Sequence, residues 1–154
     1  VHKGKLTHDA CRAIVEAAAA VLPGSDELPA PLALLPEAHR IAGSVGYARK
    51  DYLGLAELTR CVHAAYRAPG GEQYLVFSLV TDDADMAWKK LAARWKTVAA
   101  GGRTVLMRKV PYRGEVLVTR ANDGIVGVSS AGDKPLPRAF LLGVLPGTGA
   151  RPEQ

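Results

Sequence analysis

Residues 74–80 read YLVFSLV and are apolar on both alternating sets of positions, with Ser78 as the one polar interruption. A strand with one wet face alternates apolar and polar residues, so this run needs cover on each side. It therefore predicts a central strand of a sheet. Three further strands are expected close together at residues 103–110, 115–120 and 125–130. They are joined by PYRG (111–114) and ANDG (121–124), which have the chemistry of tight hairpin turns.

The remaining elements follow from periodicity and punctuation. A helix begins at Thr7 or His8 and runs to about Leu22, with Asp9 placed to favour its N-terminal dipole. Ile14, Val15, Ala18, Val21 and Leu22 form its apolar face, and Pro23-Gly24 stops it. Residues 23–38 hold four prolines and form an arm or pinned loop, in which LALL (32–35) is expected to cover an open core edge. Residues 39–45 read as a first strand, 46–55 as a turn-rich connection and 58–68 as a second strand. APGGEQ (68–73) is a hairpin turn.

After residue 80, Thr81 or Asp82 is expected to cap a helix with Asp85 in its first turn. Ala84, Trp88, Leu91, Trp95 and Val98 recur at steps of four and three, which is one helical stripe. Lys89, Lys90, Arg94 and Lys96 fall mostly off it. Both tryptophans are thus expected in the core, away from the cations. A base-stacking surface needs aromatic and basic groups on one face. Gly101-Gly102 ends the helix, residues 137–145 form a last short helix, and the tail from 147 is expected to be disordered.

Together these elements predict an α+β domain: one mainly antiparallel sheet of about six strands, helices packed on one face, and an N-terminal helix with a Pro-rich arm. The expected organisation is residues 1–33 as helix and linker, 34–146 as the domain and 147–154 as the tail. At 154 residues, 48% hydrophobic and 23% charged, the chain suits a single globular core. No apolar run is long enough to span a bilayer as a helix. The formal charge of +5 is compatible with a polyanion or an anionic membrane surface as partner, without arguing for either.

Several stretches resemble an uncharacterised bacterial domain family that is often found in exported proteins. They are LLP (34–36), GSVGY (43–47), DYLGL (51–55), AAYRAPGGEQYLVFSLVTDDADMAW (64–88) and GGRTVLMRKVPYRGEVLVTRANDGIVGV (101–128). The resemblance spans about Leu34 to Val128 and rests on turn glycines, tyrosines and strand patterns. It implies an extracytoplasmic, periplasmic location and a non-catalytic role, and it carries no catalytic residue. The chain opens on Val1, so an export signal would lie outside these residues.

Candidate sites are few. Cys11 and Cys61 are read either as buried small hydrophobes or as a disulfide tying the first helix to the sheet, which needs an oxidising compartment. His8 and Cys11 share a helix face, and Cys61 and His63 share a strand face. If helix and strand touch, these four could surround a tetrahedral metal. Asp82, Asp83 and Asp85 can be read as a metal or acid–base cluster, but capping and the helix dipole already explain them; a small enzyme whose acid–base groups meet only in the fold, with His39, His63 or the Asp82–Asp85 group involved, is the enzyme alternative. Ser44, Ser129 and Ser130 have no visible partner base. Gly101-Gly102 precedes a strand, so it is not a phosphate loop. No cofactor is implied. Arg108, Lys109, Tyr112 and Arg113 form a candidate partner-binding patch near a meander turn. Function is thus expected to be a binding or accessory module in a larger protein assembly, with a nucleic-acid or polyanion binder as the alternative.

Overall fold

The computed structural model describes residues 7–21, 30–100, 102–111, 113–121, 124–131 and 135–145. In chain order the elements are α1 (His8–Val21), α2 (Ala30–Ala33), β1 (Gly46–Ala48), a 3-10 turn (Tyr52–Gly54), β2 (Cys61–Arg67), β3 (Gln73–Leu79), α3 (Ala84–Ala92), β4 (Lys96–Ala100), β5 (Arg103–Val110), β6 (Gly114–Ala121), β7 (Gly124–Ser130) and α4 (Arg138–Val144). The strands form one seven-stranded sheet in the order β1-β2-β3-β7-β6-β5-β4. Every neighbouring pair is antiparallel. β1–β3 make one meander and β4–β7 a second. The chain passes between them through α3, and the second meander closes by laying β7 against β3, Val76 opposite Val128 and Phe77 opposite Gly127.

β3 is covered on both sides, as its apolar pattern requires. Tyr74 and Val76 join Tyr66, Val105, Leu117 and Val128 on one face, under Leu35 and the α4 residues Leu141 and Leu145. Phe77 and Leu79 join Leu106, Val118 and Ile125 on the other, under Tyr52, Leu55 and Leu58 with Leu91 of α3 and Trp95. Helices therefore sit on both faces, not on one as the element order suggested. An antiparallel sheet whose centre is apolar on both sides cannot leave either side wet.

The seventh strand lies where a helix was expected to continue. α3 ends at Ala92, the chain turns at residues 93–94, and Lys96–Ala100 pairs with β5 as an edge strand. Trp95 still reaches the second core and is 5% exposed. Val98 packs against the first core, on the opposite face of the sheet. Trp88 is half-buried, with the Arg120 guanidinium 5.6 Å from its ring centroid. The cap is Asp83, whose carboxylate accepts from the Met86 amide at 2.8 Å, while Thr81 Oγ1 accepts from the Asp83 amide at 3.2 Å.

The expected strand at 39–45 is also displaced. His39 and Gly43 have φ of 63° and 71°, which breaks an extended run. Only Arg40 bridges to Tyr66, and the true edge strand is Gly46–Ala48. The Leu32–Leu35 stretch does cover the core. Leu35 is buried, Leu32 and Leu34 pack beside it, and the Tyr66 hydroxyl donates to the Pro36 carbonyl at 2.7 Å.

α1 forms close to the expected bounds, but the two described large residues of its expected apolar face are exposed. Ile14 and Val15 are 58% and 66% exposed. The Cys11–Cys61 bridge is not formed. Both thiols are free, Cys11 exposed on α1 and Cys61 fully buried on β2. Among the described residues no helix is long and apolar enough to cross a membrane. Expectations for residues 2–6, the Pro23-Gly24 stop, Gly101, Tyr112, Asn122-Asp123 and the tail from 147 lie outside the described residues.

At the seam between the meanders, the ring of Phe77 reaches over Gly127. A Cβ on Gly127 would stand 2.1 Å from Phe77 Cζ. The ring cannot swing away easily, being fully buried and edge-on to Tyr52 at 5.2 Å. Gly127→Ala is therefore expected to cost about 1–3 kcal/mol through overpacking. Gly143→Ala, in α4 with open space at its Cβ, should be neutral or stabilising by up to about 1 kcal/mol. Urea unfolding of both variants checks this, and an unchanged midpoint for Gly127→Ala would contradict it.

Candidate functional site

An open cleft of about 730 Å³ lies between the loop at 56–60, the end of β3 and α3. Its apolar floor includes Leu79, Ala87 and Leu91, and its rim carries Glu57, Arg60, Asp82, Asp83, Lys90 and Arg94. The loop that builds one wall is conformationally unusual. Asp51, Leu53 and Arg60 all have positive φ, which is strained for a non-glycine residue and most of all for leucine. Two features over-determine it. Tyr52 and Leu58 are buried in the second core, with the Tyr52 amide bonded to the Leu58 carbonyl at 2.9 Å. The Glu57 carboxylate, 10% exposed, accepts from the Arg108 guanidinium and lies 3.9 Å from Arg94.

The rim charges are mostly committed. Asp83 caps α3, Asp82 faces Arg60 at 3.8 Å, and Asp85 just outside the cleft pairs with Arg120. The aspartates expected to be caps or an acid–base group are thus one cap and two exposed ion-pair partners. Exposed pairs of this kind contribute at most about 1 kcal/mol each, so they shape the rim more than they hold the fold. Lys90 and Met86 remain exposed on α3.

Three groups with shifted titration, Tyr52, Cys61 and His63, lie apart from this rim, on β2 and beneath the loop. Cys61 and His63 do share a strand face, as the sequence indicated, and Tyr52 lies against them. The Tyr52 and His63 rings stack at 4.8 Å. His63 also sits against Gly46, where a Cβ would come within 2.7 Å of its ring. Burial pushes the Cys61 thiol up to about 12, and that thiol donates to the Thr59 carbonyl at 3.7 Å. Burial first, and then neighbouring Cys61, hold the Tyr52 hydroxyl far above its ordinary range, with Arg113 pulling the other way. The Tyr52 hydroxyl is buried with no hydrogen-bond partner among the described residues. Burial lowers His63 from its ordinary value. All three groups are held in their neutral forms at neutral pH, which describes a packed polar corner of the core and not an activated nucleophile.

His8, Cys11, Cys61 and His63 are the candidates for a tetrahedral metal, and the side chain of His8 lies outside what the structure describes. Cys11 is exposed and Cys61 sealed, and among the described residues no group of three or more His, Cys, Asp or Glu could hold a metal. The hydrogen bonds of Ser44, Ser129 and Ser130 among the described residues go to backbone groups. Ser44 bonds to backbone at Ile41 and Ala65, Ser129 to the Ser130 carbonyl, and Ser130 accepts from the Leu136 amide.

The basic residues of β5 do not form one patch. Arg108 and Lys109 are successive strand residues and point to opposite faces. Arg108 is engaged by Glu57, Lys109 lies across from Glu115, and Arg113 is exposed at the turn. Glu115 is held below the usual carboxylate range by its hydrogen bonds to Arg138, with the Arg138, Lys109 and Lys96 charges adding to the effect against burial. Around the second face Arg60, Arg94, Arg108 and Arg120 each face a carboxylate. The field offered to a polyanion is much weaker than the residue count implies. The half-buried Trp88, beneath Arg120, is no open stacking platform.

No family model, curated protein or solved structure matches this chain.

The buried thiol and phenols set a pH limit on stability. In the unfolded chain Cys61 loses its proton near 9.0, whereas in the fold it holds it until about 12. The folded state therefore binds more protons between those values. The stabilisation is complete below pH 9 and is lost as pH rises to 12, by up to about 1.4 kcal/mol per pH unit per group. Tyr66, raised from 10.0 to about 12 by burial, adds to the fall above pH 10. Urea midpoints from pH 8 to 11 should decline, and Cys61→Ala should flatten the first part of that decline. An identical slope in the variant would contradict the assignment.

Proposed function

We propose that the chain is a non-catalytic binding module, an accessory subunit of a larger protein assembly outside the cytoplasm, and that its partner seats in the cleft between residues 56–60 and α3. The observation that carries this reading is a separation. The cleft has an apolar floor and a rim of mostly capped or ion-paired charges, while Tyr52, Cys61 and His63, whose titration is shifted, are packed under the loop and do not line it. An apolar floor with a mixed polar rim is the anatomy of a protein–protein contact. A catalytic site would instead bring its perturbed groups to the concavity. The location rests on the resemblance over residues 34–128. The free thiols of Cys11 and Cys61 lend it no support.

Met86, 54% exposed on the cleft wall, is the position from which to detect the partner. A photo-crosslinking residue placed there, in the chain's native cell, is expected to give one discrete adduct. A residue placed at exposed Glu72, in the β2–β3 turn, should not. Lys90→Glu should lower the adduct yield at least several-fold with the melting temperature little changed, since this side chain lines the cleft and is exposed. No adduct at Met86 above the Glu72 background would overturn the assignment of the cleft. A turnover abolished by His63→Ala would overturn the non-catalytic reading.

A further inference from the structure

The two edges of the sheet are built differently. β1 is three residues long and runs into Arg49, Lys50 and Asp51, the last with φ of 49°, so the backbone turns away from any added strand. Shortness, flanking charge and a kink are the usual guards of an open edge. β4, at the other edge, has none of them at its centre. It is five residues of KTVAA, without proline, and its single charge is at the first position. Among the described residues only β5 pairs with it, so one side of its backbone meets no strand.

We infer that β4 is a self-association surface, through which two copies of this chain pair antiparallel about a two-fold axis at Val98. The register follows from symmetry. In an antiparallel edge strand, alternate residues aim their N–H and C=O groups outward. A two-fold axis between residues would pair outward groups with inward ones. An axis on a residue pairs like with like, whichever set points outward. An axis at Val98 gives the longest overlap: Val98 opposite its own copy, Thr97 opposite Ala99, and Lys96 opposite Ala100. The two lysines then lie at opposite ends of the ladder, away from each other. Thr97 and Ala99 are small and exposed, and Val98 and Ala100 are half-buried against the first core. Because directly opposed residues share a sheet face, the copy's Val98 extends that same apolar face. Such a contact is isologous and closes at two chains. It uses a different surface from the cleft and does not depend on the function proposed there.

Sedimentation velocity of the 154-residue chain tests this. The mass is expected to rise from 16.3 kDa towards twice that value with concentration, in the micromolar range suited to a small interface. Thr97→Lys with Ala99→Lys places like charges opposite each other twice and should abolish the rise. Thr97→Glu with Ala99→Glu should do the same. An equimolar mixture of the two variants should restore the dimer, because this register sets each lysine opposite a glutamate. A parent chain that stays at 16.3 kDa throughout overturns the inference, as does a dimer that survives both double substitutions. A mixture that stays monomeric overturns the register on Val98.

Discussion

The pairing of β3 with β7 is the contact on which the rest of the structure depends. It joins a three-strand meander to a four-strand meander, and neither has a complete core without the other. Each apolar cluster draws residues from both sides of that seam: Tyr66, Val76, Leu117 and Val128 on one face, Leu58, Phe77, Val118 and Ile125 on the other. Ladder hydrogen bonds fix the register, but the stabilisation comes from removing these side chains from water, on the order of 1.5–3 kcal/mol for each large one. Gly127 exists at the seam so that Phe77 can lie across it. That ring in turn supports Tyr52, and Tyr52 holds the strained loop that walls the cleft.

This chain of support explains why the cleft can be open without being loose. The 51–60 loop has three non-glycine residues at positive φ, each a small cost, and it is kept in place by a buried tyrosine, a buried leucine and a carboxylate between two arginines. Taking away Arg108 would leave the nearly buried Glu57 facing only Arg94 at 3.9 Å. The partner of a buried charge matters more for what its loss exposes than for the pair's own worth.

What could be read in advance was the middle of the sheet. The residue pattern at 74–80 and the strands expected at 103–110, 115–120 and 125–130 agree with one another and with the structure. Both misread strands are edges. β4 was hidden because Ala84, Trp88, Leu91, Trp95 and Val98 hold a helical spacing through a point where the chain in fact turns, and because KTVAA is not itself strongly strand-forming; pairing with β5 decides it. β1 was hidden inside a turn-rich stretch because an edge strand of three residues carries almost no alternation. The helices were placed on one face by counting elements, although the apolar YLVFSLV already demanded cover on both. At the candidate site only the shared strand face of Cys61 and His63 was visible. The stacking of Tyr52 on His63 and the Glu57–Arg108 pair join residues distant in sequence through left-handed loop residues, for which no local signal exists.

Native-state hydrogen exchange tests the central claim directly. If the β3–β7 seam closes the domain, the amides of residues 74–79 and 126–129 should be the last to exchange. They should open with the free energy of global unfolding, and those of β2 and β6 should follow them closely. Exchange of the β3 and β7 amides well below that free energy, with β5 and β6 still protected, would show that the second meander holds together alone and would contradict the account.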